Sequence, residues 1–403
     1  MENPESAPAG EPRSLPQPWN IIFPPATRLV VWSILAAILY LLRSFFLLVF
    51  LTFVFAYIQS SGIRYIQPYL KNRALSVVAV TALFLGTLTA VGIFILPNVQ
   101  RQAESFVRQF PVYLGKVDSL IQDLGNRYPA LYKAVPELEK KMRAVQTGKV
   151  RENERALPEA EGKIDPTRSP TAAFLQDLAG FGAQTQGYQN IDQALDIIRN
   201  IGSGFAAVAS AFLLALLFSF LILLDLPKLE AGVRELRNTK VRFIYEEVAD
   251  NIRDFTQVLG QALEAQFFIA LINTLLTAAG IFLLGLGKKV AFLSLIVFFS
   301  SFIPVVGVFI SSVPICLVAL QTDGGLQTMF LAILLIIVIH IVEAYFLNPS
   351  IYGTRMRINP VIILIVLTIS GKLFHFWGLI LGVPVFTYLY GHAIRYKSES
   401  KML

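Results

Sequence analysis

The chain of 403 residues is 55% hydrophobic and 15% charged, with a mean hydropathy of +0.61, which removes it from ordinary soluble domains and places it among integral membrane proteins. Its formal charge of +7 does not mark a nucleic-acid partner. Residues 99–200 hold 14 Lys and Arg against 13 Asp and Glu, so the surplus lies mainly in short loops beside apolar runs, as on the cytoplasmic face of membrane proteins. The single cysteine, Cys316, excludes an intrachain disulfide framework and a Cys-based metal site.

Residues 1–28 are Pro-rich and polar, lack the charged region and apolar run of a secretory signal, and read as a disordered cytosolic tail. The N-terminal membrane segments occupy 29–98. Leu29 to Ile58 is interrupted only by Arg43-Ser44. One charge at the bilayer centre costs about 2.5–3.5 kcal/mol, so the pattern predicts two short helices in a hairpin with Arg43 near water. Val77 to Leu96 forms a third segment ended by Pro97-Asn98, and Arg64, Lys71 and Arg73 put the loop before it on the cytoplasmic side.

Residues 99–200 form a soluble insertion, extracytoplasmic by that count, opening with an amphipathic helix through Phe106, Phe110, Val117, Leu120, Ile121 and Leu124. Residues 201–226 make a further span. Residues 227–261 read as a basic amphipathic helix near the cytoplasmic surface, with Lys228, Arg234, Arg237, Lys240, Arg242 and Arg253 among its apolar positions.

The C-terminal membrane domain covers 262–392, and 393–403 is a cytosolic tail. Ala262 to Leu286 and Met329 to Phe346 are compact spans. Val290 to Leu320 and Pro360 to Tyr390 are too long: as straight helices each reaches about 45 Å, against a hydrocarbon core of about 30 Å. Each also carries breaks, at IPVVG and Pro314 in the first and at SGK, Gly378, Gly382 and Pro384 in the second. The predicted fold is an all-α polytopic membrane protein of about eight transmembrane segments, some broken or re-entrant, plus a helical soluble insertion.

No GxxxxGK[ST], HExxH, GxSxG or Cys/His cluster occurs, which argues against an ATP-driven pump and against the usual hydrolases, and no cofactor or metal site is expected. Polarity instead gathers at membrane depth. Gln266 and Asn273, seven apart, share a helix face and read either as interhelical hydrogen-bond partners or as pathway lining. His340 and Glu343, three apart, also share a face; they can exchange a proton or hold a cation, unless Glu343 reaches interfacial water or pairs with Lys372. Non-helical backbone at this depth is tolerated only inside protein or along a watery cavity, so the broken segments point to a transport route.

The stretch SSFIPVVGVFISSVPI resembles the IPxxG...P motif of the autoinducer-2 exporter family, the PerM-like permeases. EAYFLNPSIYGTRMRINPVIILIVLTISGKLFHFWGLILGVPV is similar to that family's E....P...G......P......GG..FG..G...A.P signature, and FSFLILLDLPKL, VLGQALEAQFFIAL and the Arg64 to Arg73 loop follow its order. The resemblance spans Leu29 to Tyr390. It implies export of a small polar signal across the cell inner membrane, homo-oligomers that are pentamers where described, and, for some members, sodium/proton antiport. Onto this chain it carries Pro304, Gly307, Pro314, Glu343, Asn348, Pro349, Gly353, Pro360, Gly371, Gly378, Gly382 and Pro384, while Lys372 stands in place of a small residue beside Gly371.

The resulting expectation is a secondary transporter or facilitator, not an enzyme, exporting a small polar solute that is autoinducer-2-like by resemblance. Its partners are that solute or an ion and the lipid bilayer. The pathway is expected at Gln266, Asn273, Pro304, Gly307, His340, Glu343, Asn348, Pro349, Gly353 and Lys372, with Pro314, Pro360, Gly371, Gly378, Gly382 and Pro384 as hinge or packing positions. Two alternatives stand beside it: a monovalent cation (Na⁺)/proton antiporter, and a membrane scaffold acting through the soluble insertion.

Overall fold

A computed structural model describes residues 19–127, 171, 205–352 and 359–391. The elements are helices: α1 Trp19–Leu41, α2 Phe46–Leu70, α3 Arg73–Arg127, α4 Phe205–Glu235, α5 Arg242–Leu283, α6 Val290–Ser300, α7 Val306–Leu320, α8 Leu326–Val342, α9 Asn348–Tyr352 and α10 Pro360–Tyr388. Among the described residues, six helical stretches are long and apolar enough to cross a membrane, and α7 is a shorter apolar helix. The protein is an all-α polytopic membrane protein. Most of the insertion, Gly353 and both chain ends lie outside the described residues.

Several expected boundaries shift. At Arg43-Ser44 the expected hairpin is a bend: one 3-10 turn, Leu42–Phe45, joins α1 to α2, with right-handed helical angles at Leu41 and Phe46. Arg43 meets Tyr40 there through a 2.9 Å hydrogen bond and a ring contact. Helix α1 reaches back to Trp19, into the stretch expected as a tail.

Pro97 does not end the third segment. Helix α3 runs 55 residues, about 80 Å, straight through Pro97 and Pro111. Beside Pro97, the Asn98 side chain donates to the Phe94 carbonyl at 3.1 Å and Arg101 to the Pro97 carbonyl at 3.3 Å. The expected cytoplasmic helix over 227–261 is divided instead. Its first part prolongs α4 past Pro227 to Glu235, and its second is the start of the 42-residue α5.

Helices α2, α4 and the first half of α3 pack together around a buried polar knot. Gln59 donates to Ser219 Oγ at 2.9 Å and accepts from Thr81 at 2.7 Å, so a side chain only 1% exposed has both ends of its amide satisfied. Tyr57 of α2 sits against the bare backbone of Gly260, where a Cβ would collide with its ring, and so joins this bundle to α5.

The two long C-terminal segments fold back on themselves. Helices α6 and α7, only 11 and 15 residues long, pack against each other, and both touch the outer half of α3. They form a helical hairpin that opens at the end of the molecule where α3 projects, the insertion side. In α10, His375 has φ 52 and ψ −131, which breaks the helix into two arms. The arms close: Ser370 Oγ donates to the Gly378 carbonyl at 2.7 Å. This second hairpin opens at the opposite end of α5, where Tyr388 reaches the Asn251 carbonyl at 3.2 Å. Each of the two long C-terminal segments is therefore a helical hairpin rather than one straight helix.

Candidate functional site

Helix α5 supplies the wall on which the site is built. Its Gln266 side chain donates to the Ser301 carbonyl at the tip of the first hairpin, and its Asn273 side chain donates to Glu343 Oε2 at 2.8 Å. On α8, His340 Nδ1 lies 3.0 Å from the same oxygen. Glu343 opens a π turn, Glu343–Leu347, that widens the helix just before Pro349 removes the N–H that would bond the Tyr345 carbonyl.

The hairpin tip is strained. Val305 has φ 65 and ψ −55, with the Val306 N–H on the Pro304 carbonyl at 2.7 Å, a γ-turn geometry that is rare and costly for a β-branched residue. Gly307 follows because a Cβ there would strike the Ser300 carbonyl. The tip thus turns within a few residues and brings Pro304 and Gly307 over the face of α5 that carries Asn273.

Between tip, α5 and α8 lies a cavity of about 30 Å³, lined by Asn273, Thr277, Ser301, Pro304, Gly307, Ser311, His340 and Glu343 together with aliphatic side chains. It has room for water or a bare ion rather than an organic solute. Asn273 is 3% exposed, and its Oδ1 has no hydrogen-bond partner although its Nδ2 does. A buried acceptor left in this way costs about 1–3 kcal/mol. The Ser301 and Ser311 hydroxyls donate back to the carbonyls of Val297 at 2.7 Å and Val308 at 3.1 Å, so their lone pairs remain for a cation.

The structure brings together Asn273, Pro304, Gly307, His340 and Glu343, with Gln266 latching the tip from behind. Asn348 follows the π turn and is not among the cavity-lining residues. Lys372 is exposed on the second hairpin and is not the partner of Glu343. Gly353 lies outside the described residues.

The glycines of the second hairpin pack its arms: a Cβ at Gly378 would strike the Ser370 carbonyl, one at Gly382 the Ser370 side chain, and one at Gly371 would press on Leu379. Pro314 sits within α7 and Pro384 within the second arm, while Pro360 starts α10 behind an Asn359 cap that accepts from Val361 N at 2.9 Å.

Sequence reading passed over Ser301, Ser311 and Thr277, whose hydroxyls flank IPVVG or sit one turn from Asn273 and look like ordinary helix polarity. It also passed over a clamp at the mouth of the first hairpin. Gln102 of α3 accepts from the Phe292 N–H at 2.9 Å, capping the start of α6. Lys289 donates to Gln109 at 3.0 Å and to Tyr113, and lies over the Phe106 and Tyr113 rings. Burial pushes its ammonium below the ordinary lysine value.

The sequence profile of the AI-2E family transporters matches residues 29–394. The chain belongs to the AI-2E transporter family. Among relatives of this AI-2E transporter, YdbI, a candidate transport protein of Bacillus subtilis (strain 168), is 26% identical over 377 residues, covering 91% of each chain. A sodium-lithium/proton antiporter of Halobacillus andaensis is 22% identical over 365 residues, 87% of this chain and 90% of that protein. YueF of Bacillus subtilis (strain 168) is 21% identical over 321 residues, 78% of this chain and 74% of its own length. The protein is a multi-pass membrane transporter.

Proposed function

We propose that this AI-2E transporter exchanges a monovalent cation, Na⁺ or Li⁺, for protons at Glu343. The observation that carries the reading is the small cavity where Asn273, whose Oδ1 has no hydrogen-bond partner, meets Glu343 among the side chains of Thr277, Ser301 and Ser311. Hard cations of low charge take oxygen ligands, and carboxylate, amide and hydroxyl oxygens meet here. A carboxylate at membrane depth is costly unless neutralised. A proton or a cation can each neutralise Glu343, but not both at once, and that competition is what couples two opposite fluxes. His340, on the same carboxylate oxygen, is placed to pass the proton. The name of the Halobacillus andaensis relative agrees with this reading.

Export of a small polar solute such as autoinducer-2 through an inner-membrane homo-oligomer is the second reading. The two hairpins entering from opposite ends of α5 favour it, because parting the first hairpin from α8 enlarges the cavity. Purified protein in liposomes containing a pH-sensitive dye separates the two. Cation exchange predicts a fluorescence response to added Na⁺ or Li⁺ that depends on pH. Absence of that response across the whole pH range, with autoinducer-2 efflux intact, overturns the first reading in favour of the second.

A further inference from the structure

We infer that the route from the Glu343 cavity to the insertion side runs past Ser294 and Thr277, which form a second oxygen station one step outward from Asn273 and Ser301. This rests on the cation reading above for its cargo, though not for its path.

Three buried side-chain oxygens have no hydrogen-bond partner among the described residues: Asn273 Oδ1, Ser294 Oγ and Thr52 Oγ1. The last sits on α2, outside the hairpin unit. Asn273 lines the cavity, and Ser294 lies beyond it on a shared helix face. On α6 and its C-cap, Ser294, Val297 and Ser301 follow at steps of three and four, and both Val297 and Ser301 line the cavity. Helix α6 runs from the insertion side toward the tip, so Ser294 lies about 10 Å outward of Ser301.

Thr277 makes the matching step on α5. It is one turn beyond Asn273, 4% exposed, and itself lines the cavity. Helices α5 and α6 pack on each other. The surroundings are otherwise apolar, with Ile281, Phe292 and Leu293 fully buried. In such packing an alanine fills the Ser294 position without leaving a hydroxyl unpartnered. A serine there is accounted for by an occupant that visits it: water, or a cation shedding it.

The test uses Ser294→Cys on a Cys316→Ala background, in proteoliposomes of known orientation, with a small membrane-impermeant thiosulfonate reagent. Reaction from the insertion side, slowed by saturating Li⁺, is the expected result. Reaction from the opposite side alone, or none while Ser301→Cys reacts, overturns the route and leaves the cation reading standing. Reaction that Li⁺ does not slow, in a protein with no Li⁺-dependent proton flux, overturns the cargo instead.

A second arm measures flux. Ser294→Ala is expected to raise the half-saturating Li⁺ concentration from the insertion side by about three- to tenfold, with Ser294→Thr restoring it. Its thermal stability should equal or exceed the parent's, since the change removes an unpartnered hydroxyl. Equal Li⁺ dependence, or a loss of stability without a change in half-saturation, makes Ser294 a packing residue and defeats the inference.

Discussion

Asn273 donates its side-chain amide to Glu343 Oε2 at 2.8 Å across 70 positions of sequence, and so ties the two helices that wall the cavity. The same oxygen receives His340, so one carboxylate atom collects two neighbours while Oε1 keeps its capacity. That asymmetry makes Glu343 the group whose alteration is most informative.

Glu343→Gln keeps the shape of the side chain and an oxygen for Asn273, so the fold should hold. It removes the charge for which proton and cation compete. Proton-coupled flux in liposomes is expected to fall at least about tenfold, with the unfolding temperature nearly unchanged. Undiminished flux would show that the carboxylate only joins helices.

Asn273→Ala deletes both the bond to Glu343 and the unpartnered acceptor. A lost ligand of about 1.4 kcal/mol corresponds to a tenfold weaker affinity, so the half-saturating Na⁺ or Li⁺ concentration should rise about tenfold while flux at saturation persists. A drop in saturating flux with unchanged half-saturation would assign Asn273 to the proton step instead.

The hairpins depend on close backbone approach. Gly307→Ala and Gly378→Ala each drive a Cβ into a carbonyl, of Ser300 and Ser370, and should destabilise the protein by about 1–3 kcal/mol in detergent. Gly86→Ala in α3 is the control: no atom lies within 4 Å, and alanine favours the helix, so stability should hold or rise. Equal effects at all three positions would refute the hairpin packing.

Lys289 gives a pH signature. Burial sets its folded pKa below the unfolded value, so the unfolded chain binds more protons between the two, and stability rises with pH through that interval. The penalty is present below the folded pKa and is relieved above it. Compared with Lys289→Met, wild-type protein should gain thermal stability as pH rises toward the ordinary lysine value. A change of the opposite sign would mean that the bonds to Gln109 and Tyr113 outweigh the burial.

Much of the site was legible because local spacing encodes it. His340 and Glu343 meet as neighbours three apart on a helix, and Gln266 and Asn273 share a face seven apart. The breaks at IPVVG and SGK were visible as proline and glycine in runs too long to cross once. What faces those groups was not visible. Nothing near Asn273 announces Glu343, and Lys372, equally plausible by charge, lies elsewhere. At Pro97 local chemistry misled: proline signals a helix end, yet α3 continues through it to Arg127.

By itself the sequence determined that this chain lives in a membrane, that it is helical, and that two of its apolar segments are broken, because hydropathy and missing backbone donors act residue by residue. Only the tertiary structure decided that those segments return as hairpins from opposite ends of α5. It also decided that the projecting half of α3 grips the mouth of one, and that Asn273, which lines the cavity, keeps a buried oxygen without a partner. Direction of chain return depends on whether two arms can close on each other. That is settled by contacts such as Gly307 with Ser300 and Gly378 with Ser370, which only the folded chain brings into being.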